Sequence, residues 1–294
     1  MMKYKKKQMQ LKSTSIWSLL RCGLFYAAII NIFLITCSYS SESLANKALS
    51  DTFISIVKDA KAPVVNIHTT RVLKKNTPNR GFRIKGQGSG VIYNKKGYIV
   101  TNKHVVKNAG EIVIRLYDGS EYKAEVVGTD ERSGTAVLKI DAEDLTPARF
   151  GNSDSLELGE IVLAIGSPLG LGQTVTSGII SAKGTSNVQV TGLEDFVLTD
   201  ATINPDSYGS PLVNLNGEVV GISTIPPKQT AGNSGVSLAI PINVVRKATE
   251  DLIKYGRITR GWLGVTTQPV TTELQEVLGL KNDLGALVNG VVPN

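Results

Sequence analysis

The chain has 294 residues, of which 41% are hydrophobic, and this is enough to bury a sizeable core. Its formal net charge is +7, but residues 1–45 alone contain six basic residues and one acidic residue, a balance of +5. The remainder therefore carries only +2, which argues against a nucleic-acid-binding surface and against acidic substrates.

The N-terminal segment has the layout of an export signal. A basic stretch precedes an apolar run at 22–36, which is short for a complete membrane span. Ser43-Leu44-Ala45 offers a small-x-small cleavage site. We therefore expect residues 1–45 to be a signal peptide that is cleaved near Ala45, with an uncleaved signal anchor as the alternative. Either would place the protein in the periplasm or cell envelope, with membrane contact only through this segment.

Residue types that bind metals are scarce in the chain. Cys22 and Cys37 both lie in the N-terminal segment, so the exported body can form neither a disulfide nor a thiolate metal site. The two histidines are His68 and His104, and His68 lies in an apolar alternating run that is typical of a strand. We predict no metal site and no cofactor, because no ligand spacing or phosphate-binding loop is present.

Short strands are predicted along most of the chain, after a first helix at 49–58. Apolar and β-branched runs separated by glycine and charged turns occupy 64–140 and again 161–240. Asp118-Gly119 and Asn216-Gly217 each lie between two such runs and predict tight hairpins. Asn243 is the predicted cap of a later helix that Gly256 ends. The pattern indicates an all-β barrel or sandwich with short flanking helices.

Several motifs in order resemble those of HtrA-type serine proteases. Residues 203–214 read INPDSYGSPLVN, where that family usually reads INPGNSGGPLVN. Matching runs elsewhere are GSGVI at 88–92, GYIVTNKHVV at 97–106, AVLKI at 136–140, VLAIGSP at 162–168, GLGQTVTSGI at 170–179 and AIPIN at 239–243. The resemblance extends from about residue 49 to about residue 287. It implies a trypsin-like pair of six-stranded β-barrels over residues 46–256, with the active cleft between them.

The resemblance also implies the positions of a catalytic triad. In that mechanism a serine attacks, a histidine takes its proton and an aspartate orients the histidine. His104 occupies the histidine position, but gapless alignment places Gly134 at the aspartate position and Tyr208 at the serine position. The oxyanion loop would include Asp206 and Tyr208. Asp206 replaces a glycine there, and its carboxylate would oppose the negative charge that develops on the substrate.

Neighbouring residues offer substitutes for the lost groups. Ser207 is a candidate nucleophile in a shifted register, and Ser210 flanks Tyr208 on the other side. Asp130 or Glu131 could approach His104, although neither matches the aspartate position. Residues 232–235 read Gly-Asn-Ser-Gly, like the usual nucleophile motif, but they precede a family strand and are interpreted as a turn.

The last segment, 257–294, resembles the opening of a PDZ domain. Its carboxylate-binding loop would be formed by Gly261, Trp262, Leu263 and Gly264, whose backbone N–H groups normally receive the end of a peptide. The resemblance covers about a third of such a domain, so we expect a truncated PDZ segment without the helix that forms the second wall of the peptide groove.

These observations predict an HtrA-like protein that has lost catalysis, a pseudoprotease that acts by binding. The resemblance implies polypeptide segments or HtrA-like relatives as partners, and a homo- or hetero-trimer as the assembly. Two alternatives remain open at this point. One is an active HtrA-like endopeptidase that uses Ser207, and the other is a truncated gene product without function.

Overall fold

The computed structural model describes residues 47–72, 83–167, 172–185, 195–225, 235–261 and 263–292. The predictions for the N-terminal segment, for the turn at 232–234 and for Trp262 lie outside these residues. Among the described residues, no helix is long and apolar enough to cross a membrane.

Six strands form a first closed barrel, after a helix α1 at 47–60. The strands are β1 (Val64–Val72), β2 (Arg83–Ile92), β3 (Tyr98–Asn102), β4 (Glu111–Arg115), β5 (Glu121–Thr129) and β6 (Thr135–Ile140). They follow one another around the barrel in the order β1-β2-β3-β6-β5-β4. A short helix, α2 (Lys103–Val106), begins directly after β3. The predicted Asp118-Gly119 hairpin is confirmed, because it joins the antiparallel strands β4 and β5 and Gly119 has a φ of 89°.

Six further strands form a second closed barrel. They are β7 (Ile161–Gly166), β8 (Thr174–Thr185), β9 (Phe196–Thr199), β10 (Pro211–Asn214), β11 (Val219–Thr224) and β12 (Ser237–Pro241). Their order around the barrel is β10-β11-β12-β9-β8-β7. The predicted turn at Asn216-Gly217 is confirmed between β10 and β11, where Gly217 has a φ of 72° and donates to the Asn214 carbonyl. A 3₁₀ helix, Pro205–Ser207, precedes β10.

The two barrels share a core where they meet. Each barrel has its own apolar interior, centred on residues such as Ile67 and Leu138 in the first and Val162 and Leu212 in the second. A third cluster joins them, because strands of the first barrel contribute Val64, Val91 and Val100 and strands of the second contribute Leu163, Ile165, Val213 and Ile222. The cleft therefore lies between two barrels that pack against each other through apolar side chains.

Two helices pack on this shared core. Phe53, Ile56 and Val57 of α1 contact it, whereas Leu49 of the same helix is exposed. Helix α3 (Ile242–Tyr255) contacts strands of both barrels.

One of the two predictions for the ends of α3 is confirmed and the other is wrong. Gly256 ends the helix in the left-handed conformation, with its N–H bonded to the Leu252 carbonyl, as predicted. The predicted cap at Asn243 is wrong, because the helix begins at Ile242 after Pro241. The cap is Pro241, two residues before the predicted position, and its φ of -56° is the value that the proline ring fixes.

The C-terminal segment contains β13 (Val265–Pro269), α4 (Thr272–Leu278) and β14 (Ala286–Val291). The two strands pair only with each other, and none of the described residues from 263 to 292 is buried. Leu263 in this segment is 85% exposed. A strand pair with one short helix offers too little apolar surface to close a core of its own.

Deleting residues 266–294 should therefore leave the thermal midpoint of the barrels within about 2 °C of the parent value, because no buried contact is lost. Differential scanning calorimetry of the two proteins measures this directly. A fall of the midpoint by more than about 4 °C would show that the segment stabilises the barrels through contacts absent here.

Candidate active site

His104 lies at the edge of the cleft on the short helix α2. Val106 of this helix is buried, and the backbone N–H of Lys103 donates to the Gly134 carbonyl at 2.7 Å, which holds the turn beside the histidine. Burial of the ring lowers the pKa of His104 to about 4, although more than a third of the residue stays exposed to solvent. Since even its ordinary value of 6.5 lies below neutrality, the imidazole is uncharged at pH 7.

Tyr208 faces His104 across the cleft. The two rings meet edge to face, with centroids 5.6 Å apart and an interplanar angle of 78°. Burial raises the pKa of the Tyr208 phenol above its ordinary value, so this group is protonated at neutral pH. No described residue forms a hydrogen bond with the His104 ring. The structure therefore brings together the two residues that the alignment placed at the histidine and serine positions.

The neighbouring serines point elsewhere. Ser207 is buried, and its Oγ has no hydrogen-bond partner. A Cβ built on Gly166 would lie 2.8 Å from that oxygen, which places the side chain against β7 of the second barrel. The Ser210 hydroxyl lies 2.9 Å from the Ser223 hydroxyl. Neither serine is hydrogen-bonded to His104, so neither is activated as a nucleophile in this arrangement.

In the loop that would hold an oxyanion, two backbone N–H groups donate to carbonyl groups of the same loop. The N–H of Tyr208 donates to the Pro205 carbonyl at 3.3 Å, and the N–H of Ser207 donates to the Asn204 carbonyl at 2.9 Å. An oxyanion hole needs such N–H groups to be free and aimed at the substrate oxygen. Asp206, half-buried in the 3₁₀ helix, adds a carboxylate that has no ion pair among the described residues.

The aspartate position is Gly134, which adopts a φ of 70° and has no side chain to orient His104. The sequence suggested that Asp130 or Glu131 could approach His104, and this is wrong. The buried Asp130 carboxylate accepts from Arg260 Nη1 at 2.7 Å and Nη2 at 2.5 Å, whereas the exposed Glu131 pairs with Lys103. Both acidic groups are thus engaged by basic side chains.

The Asp130 carboxylate is also bonded by its own turn. The backbone N–H of Ser133 donates to it at 2.9 Å. Burial alone would raise the pKa of Asp130, but the bonds from Arg260 and Ser133 outweigh it and hold the pKa well below its usual range. No sequence pattern indicates this pair, because the two residues are 130 positions apart.

Asn102 is a second buried polar residue that sequence reasoning missed. Both polar atoms of its amide are buried without a hydrogen-bond partner, next to α2 and opposite Thr135 in the β3–β6 pairing. Buried amides normally have partners. Thr135 directly follows Gly134. The unpartnered amide of Asn102 therefore lies opposite the residue next to the aspartate position, which has no carboxylate here.

The pocket beside the nucleophile loop is small. Its volume is about 10 Å³, and its lining includes Thr174, Thr176, Ile203, Ser207 and Ser210. This is about the space of a single water molecule.

Of the residues predicted to bind a peptide carboxylate, the structure describes Gly261, Leu263 and Gly264. Gly261 and Leu263 are exposed, and the Gly264 carbonyl accepts from the N–H of Val292 at 2.7 Å. The described part of the chain provides no helix opposite them. His68, the other histidine, lies half-buried in β1, and the described residues contain no cluster of three metal-binding side chains.

Comparisons with known proteins agree with this architecture. Residues 88–222 match the family of the trypsin-like peptidase domain. The solved structure of the HtrA-type protease AlgW with a tripeptide superposes with a TM-score of 0.73 at 39% identity, over 82% of this chain and 77% of that one. AlgW with a decapeptide gives a TM-score of 0.70 at 39% identity, over 82% and 80% of the two chains. The chain belongs to the HtrA-type serine protease family.

Two curated relatives of this HtrA-type chain are described as probable periplasmic serine endoproteases, DegP-like. The protein of Chlamydia trachomatis serovar D is 46% identical over 206 residues, which are 70% of this chain and 41% of that protein. The protein of Pseudomonas fulva is 49% identical over 205 residues, covering 70% and 43%. The chain thus spans about two fifths of the length of these relatives.

The Asp130–Arg260 pair leads to a stability prediction. Replacing Asp130→Asn should lower the free energy of unfolding at pH 7 by about 2 kcal/mol, because charged hydrogen bonds to a buried carboxylate are lost. The folded-state pKa of Asp130 lies below its ordinary 3.8, so this contribution is present above about pH 3.8 and is lost as the pH falls below it.

Urea unfolding of both proteins between pH 7 and pH 2 measures the difference, which should shrink below about pH 3.8. Asp141→Asn, at an exposed carboxylate, is the matched control and should change little. A difference that stays constant across this range would contradict the ionic contribution assigned to Asp130.

Proposed function

We propose that this HtrA-type chain is a catalytically inactive member of its family that binds polypeptide in the cleft between the barrels. The relatives described as periplasmic, together with the export-like N-terminal segment, support a periplasmic or envelope location. AlgW was solved with short peptides, which supports peptide segments as the ligand class. HtrA-like relatives are the other proposed partners, through a homo- or hetero-trimer.

The contact between Tyr208 and His104 carries the proposal. A serine protease needs a hydroxyl that gives its proton to the histidine, but here the ring of a protonated tyrosine packs edge to face with the imidazole. The group that would stabilise a histidinium is absent, because Gly134 has no carboxylate. Loss of single triad members costs several orders of magnitude in rate, and these losses do not add independently.

The loop before Tyr208 gives further support. The backbone N–H groups of residues 207 and 208 donate to carbonyl groups of the same loop. Asp206 adds a negative charge where an active enzyme directs N–H groups at the substrate oxygen. The alternative with Ser207 as nucleophile needs its buried hydroxyl to leave β7 and turn toward His104. That movement would break the hydrogen bonds that hold the loop between the barrels.

The proposal predicts no hydrolysis of casein or fluorogenic peptides and no labelling by a fluorophosphonate, because no serine is hydrogen-bonded to His104. In-gel fluorescence after incubation of the purified protein with the probe measures labelling. Label found on Ser207 or Ser210 by peptide mapping would overturn the inactive assignment.

Reversions provide the matched controls for that experiment. Tyr208→Ser alone should remain unlabelled, since His104 still lacks an orienting acid and Asp206 still disturbs the oxyanion loop. Combining it with Gly134→Asp and Asp206→Gly restores all three groups and should give measurable labelling. Gly134 has a φ of 70°, which aspartate adopts at a cost, so the restored activity should fall below that of an intact relative.

The binding half of the proposal has its own test. Fluorescein-labelled, permanently unfolded lactalbumin should bind with an affinity that Tyr208→Ala weakens at least about fivefold, because aromatic residues in clefts contribute strongly to binding. Fluorescence anisotropy measures the affinity. Tyr255→Ala, at an exposed tyrosine of α3, is the control. Equal affinities for the parent and the Tyr208 variant would place binding outside the cleft.

A further inference from the structure

The first barrel is incompletely paired between β4 and β5. Residues 113–115 of β4 pair with 121–123 of β5, whereas 124–129 of β5 pair with β6 alone among the described strands. A groove of about 660 Å³ opens where β4 and β5 part, and we call it the β4–β5 groove. His104 and Tyr208 do not line it. Its lining includes Glu111 and Ile112 at the start of β4 and Lys123, Glu125 and Val126 of β5.

The hydrogen bonds of β6 show which backbone groups of β5 face this groove. Along an antiparallel strand, the N–H and C=O groups of alternate residues point to opposite sides. The N–H of Ile140 donates to the Gly97 carbonyl, on the side of β6 that faces β3 and not β5. Lys139 therefore bonds toward β5, to Glu125 opposite it, and the next residue of β5, Val126, directs its N–H and C=O away from β6.

The β4–β5 hairpin gives the same result from the other side. The N–H of Leu116 donates to the Ser120 carbonyl, so the even-numbered residues of β5 up to 126 point their backbone groups toward β4. The pairing with β4 ends before Val126, and no described residue forms a hydrogen bond with the N–H or C=O of Val126. Val126 thus presents a free donor and a free acceptor at an open sheet edge.

The Val126 side chain is also left uncovered. It lies on the same face of the sheet as Leu138, because the two residues are directly opposite each other in the β5–β6 pairing. Leu138 is fully buried in the core of the first barrel, but Val126 is 46% exposed. Side chains on the inner face of a small barrel normally fill its interior. A strand added at the free edge of β5 would cover Val126.

The charges at the rim of the groove favour a basic occupant. Glu125 is exposed and forms no ion pair among the described residues, since Lys139, opposite it on β6, donates to the Ile140 carbonyl at 2.6 Å. Glu111 lies 3.9 Å from Lys123, but both side chains are at least half exposed, so this pair is weak. A second copy of the chain paired through the same edge would bring another Glu125 to the rim, and like charges oppose that pairing.

From this arrangement we propose that the β4–β5 groove binds an extended polypeptide segment in which an apolar residue stands between two basic residues. The apolar residue exchanges N–H···O bonds with Val126 and packs on its side chain, because the two members of such a pair share one face. The basic residues on either side lie on the opposite face, beside the carboxylates of Glu125 and Glu111. This site is separate from the cleft of the proposed function.

Fluorescence anisotropy with three short labelled peptides tests the proposal. The first is blocked at its end and carries Lys-Val-Lys between threonines, and the second carries Glu-Val-Glu instead. The third is the lysine peptide with an N-methyl group on the central valine, which removes the donor that Val126 would receive. We expect the first to bind saturably, at least about fivefold tighter than the third because a backbone hydrogen bond is lost. It should also bind at least about threefold tighter than the second at low salt.

Two variants locate the binding on β5. Val126→Pro removes the free N–H without removing a bond of the β5–β6 ladder, and should weaken binding of the lysine peptide at least about fivefold. Glu125→Lys should weaken it too and should improve binding of the glutamate peptide. Glu121→Lys, at an exposed carboxylate of β5 outside the groove lining, is the matched control and should change neither affinity. Far-ultraviolet circular dichroism verifies folding, and Glu125→Lys decides alone if the proline variant does not fold.

Three results would overturn the assignment. They are no saturable binding of the lysine peptide at millimolar concentration, equal affinity for its N-methylated form, and affinity unchanged in both β5 variants. Self-association that Val126→Pro abolishes, measured by analytical ultracentrifugation, would assign the edge to a second copy and reject the basic segment. Tyr208→Ala should leave affinity at the groove intact. Binding lost with Tyr208→Ala but kept with Val126→Pro would reject the groove while supporting the cleft.

Discussion

The position of the nucleophile loop between the two barrels is the constraint on which the rest of the site depends. The N–H of Ser89, in the first barrel, donates to the Tyr208 carbonyl at 2.8 Å. On the other side, the N–H of Gly209 donates to the Ser223 carbonyl and the N–H of Ser223 donates to the Ser210 carbonyl. Gly209 allows this close approach, because a Cβ there would lie 2.2 Å from the Ser89 carbonyl oxygen. These backbone contacts therefore set the position of residue 208 whatever its side chain is.

This constraint explains why the substitution of one side chain changes the chemistry without changing the fold. Whatever residue stands at 208 is held against the His104 ring, and a tyrosine there fills the space in front of the imidazole. Shifting the register by one residue to present Ser207 would move Gly209 away from Ser89, and a residue with a Cβ would enter that contact. The hydrogen bonds that hold residue 208 in place therefore keep Tyr208 against His104.

The sequence predicted the parts of this molecule that depend on short-range patterns. The glycines at 119 and 217 marked hairpins because a tight turn requires their positive φ, and gapless alignment brought Tyr208 to His104 because the loop has one backbone geometry. The errors concern choices that distant residues decide. Asp130 was one of two acidic residues that could approach His104, but Arg260, which follows helix α3, binds its carboxylate instead. A charged guanidinium forms stronger hydrogen bonds with a carboxylate than a neutral imidazole does.

The turn at 130–134 includes the aspartate position, which is Gly134 here, and is held by other groups. Arg260 and the backbone at 133 hold the turn through Asp130, and the Gly134 carbonyl still receives the N–H of Lys103. The backbone around the former aspartate is therefore maintained by groups that have no part in proton transfer. The unpaired amide of Asn102 is buried opposite Thr135, the residue that follows Gly134. The residues that hold this turn are thus different from those that the family's triad would use, so the fold here does not depend on the triad.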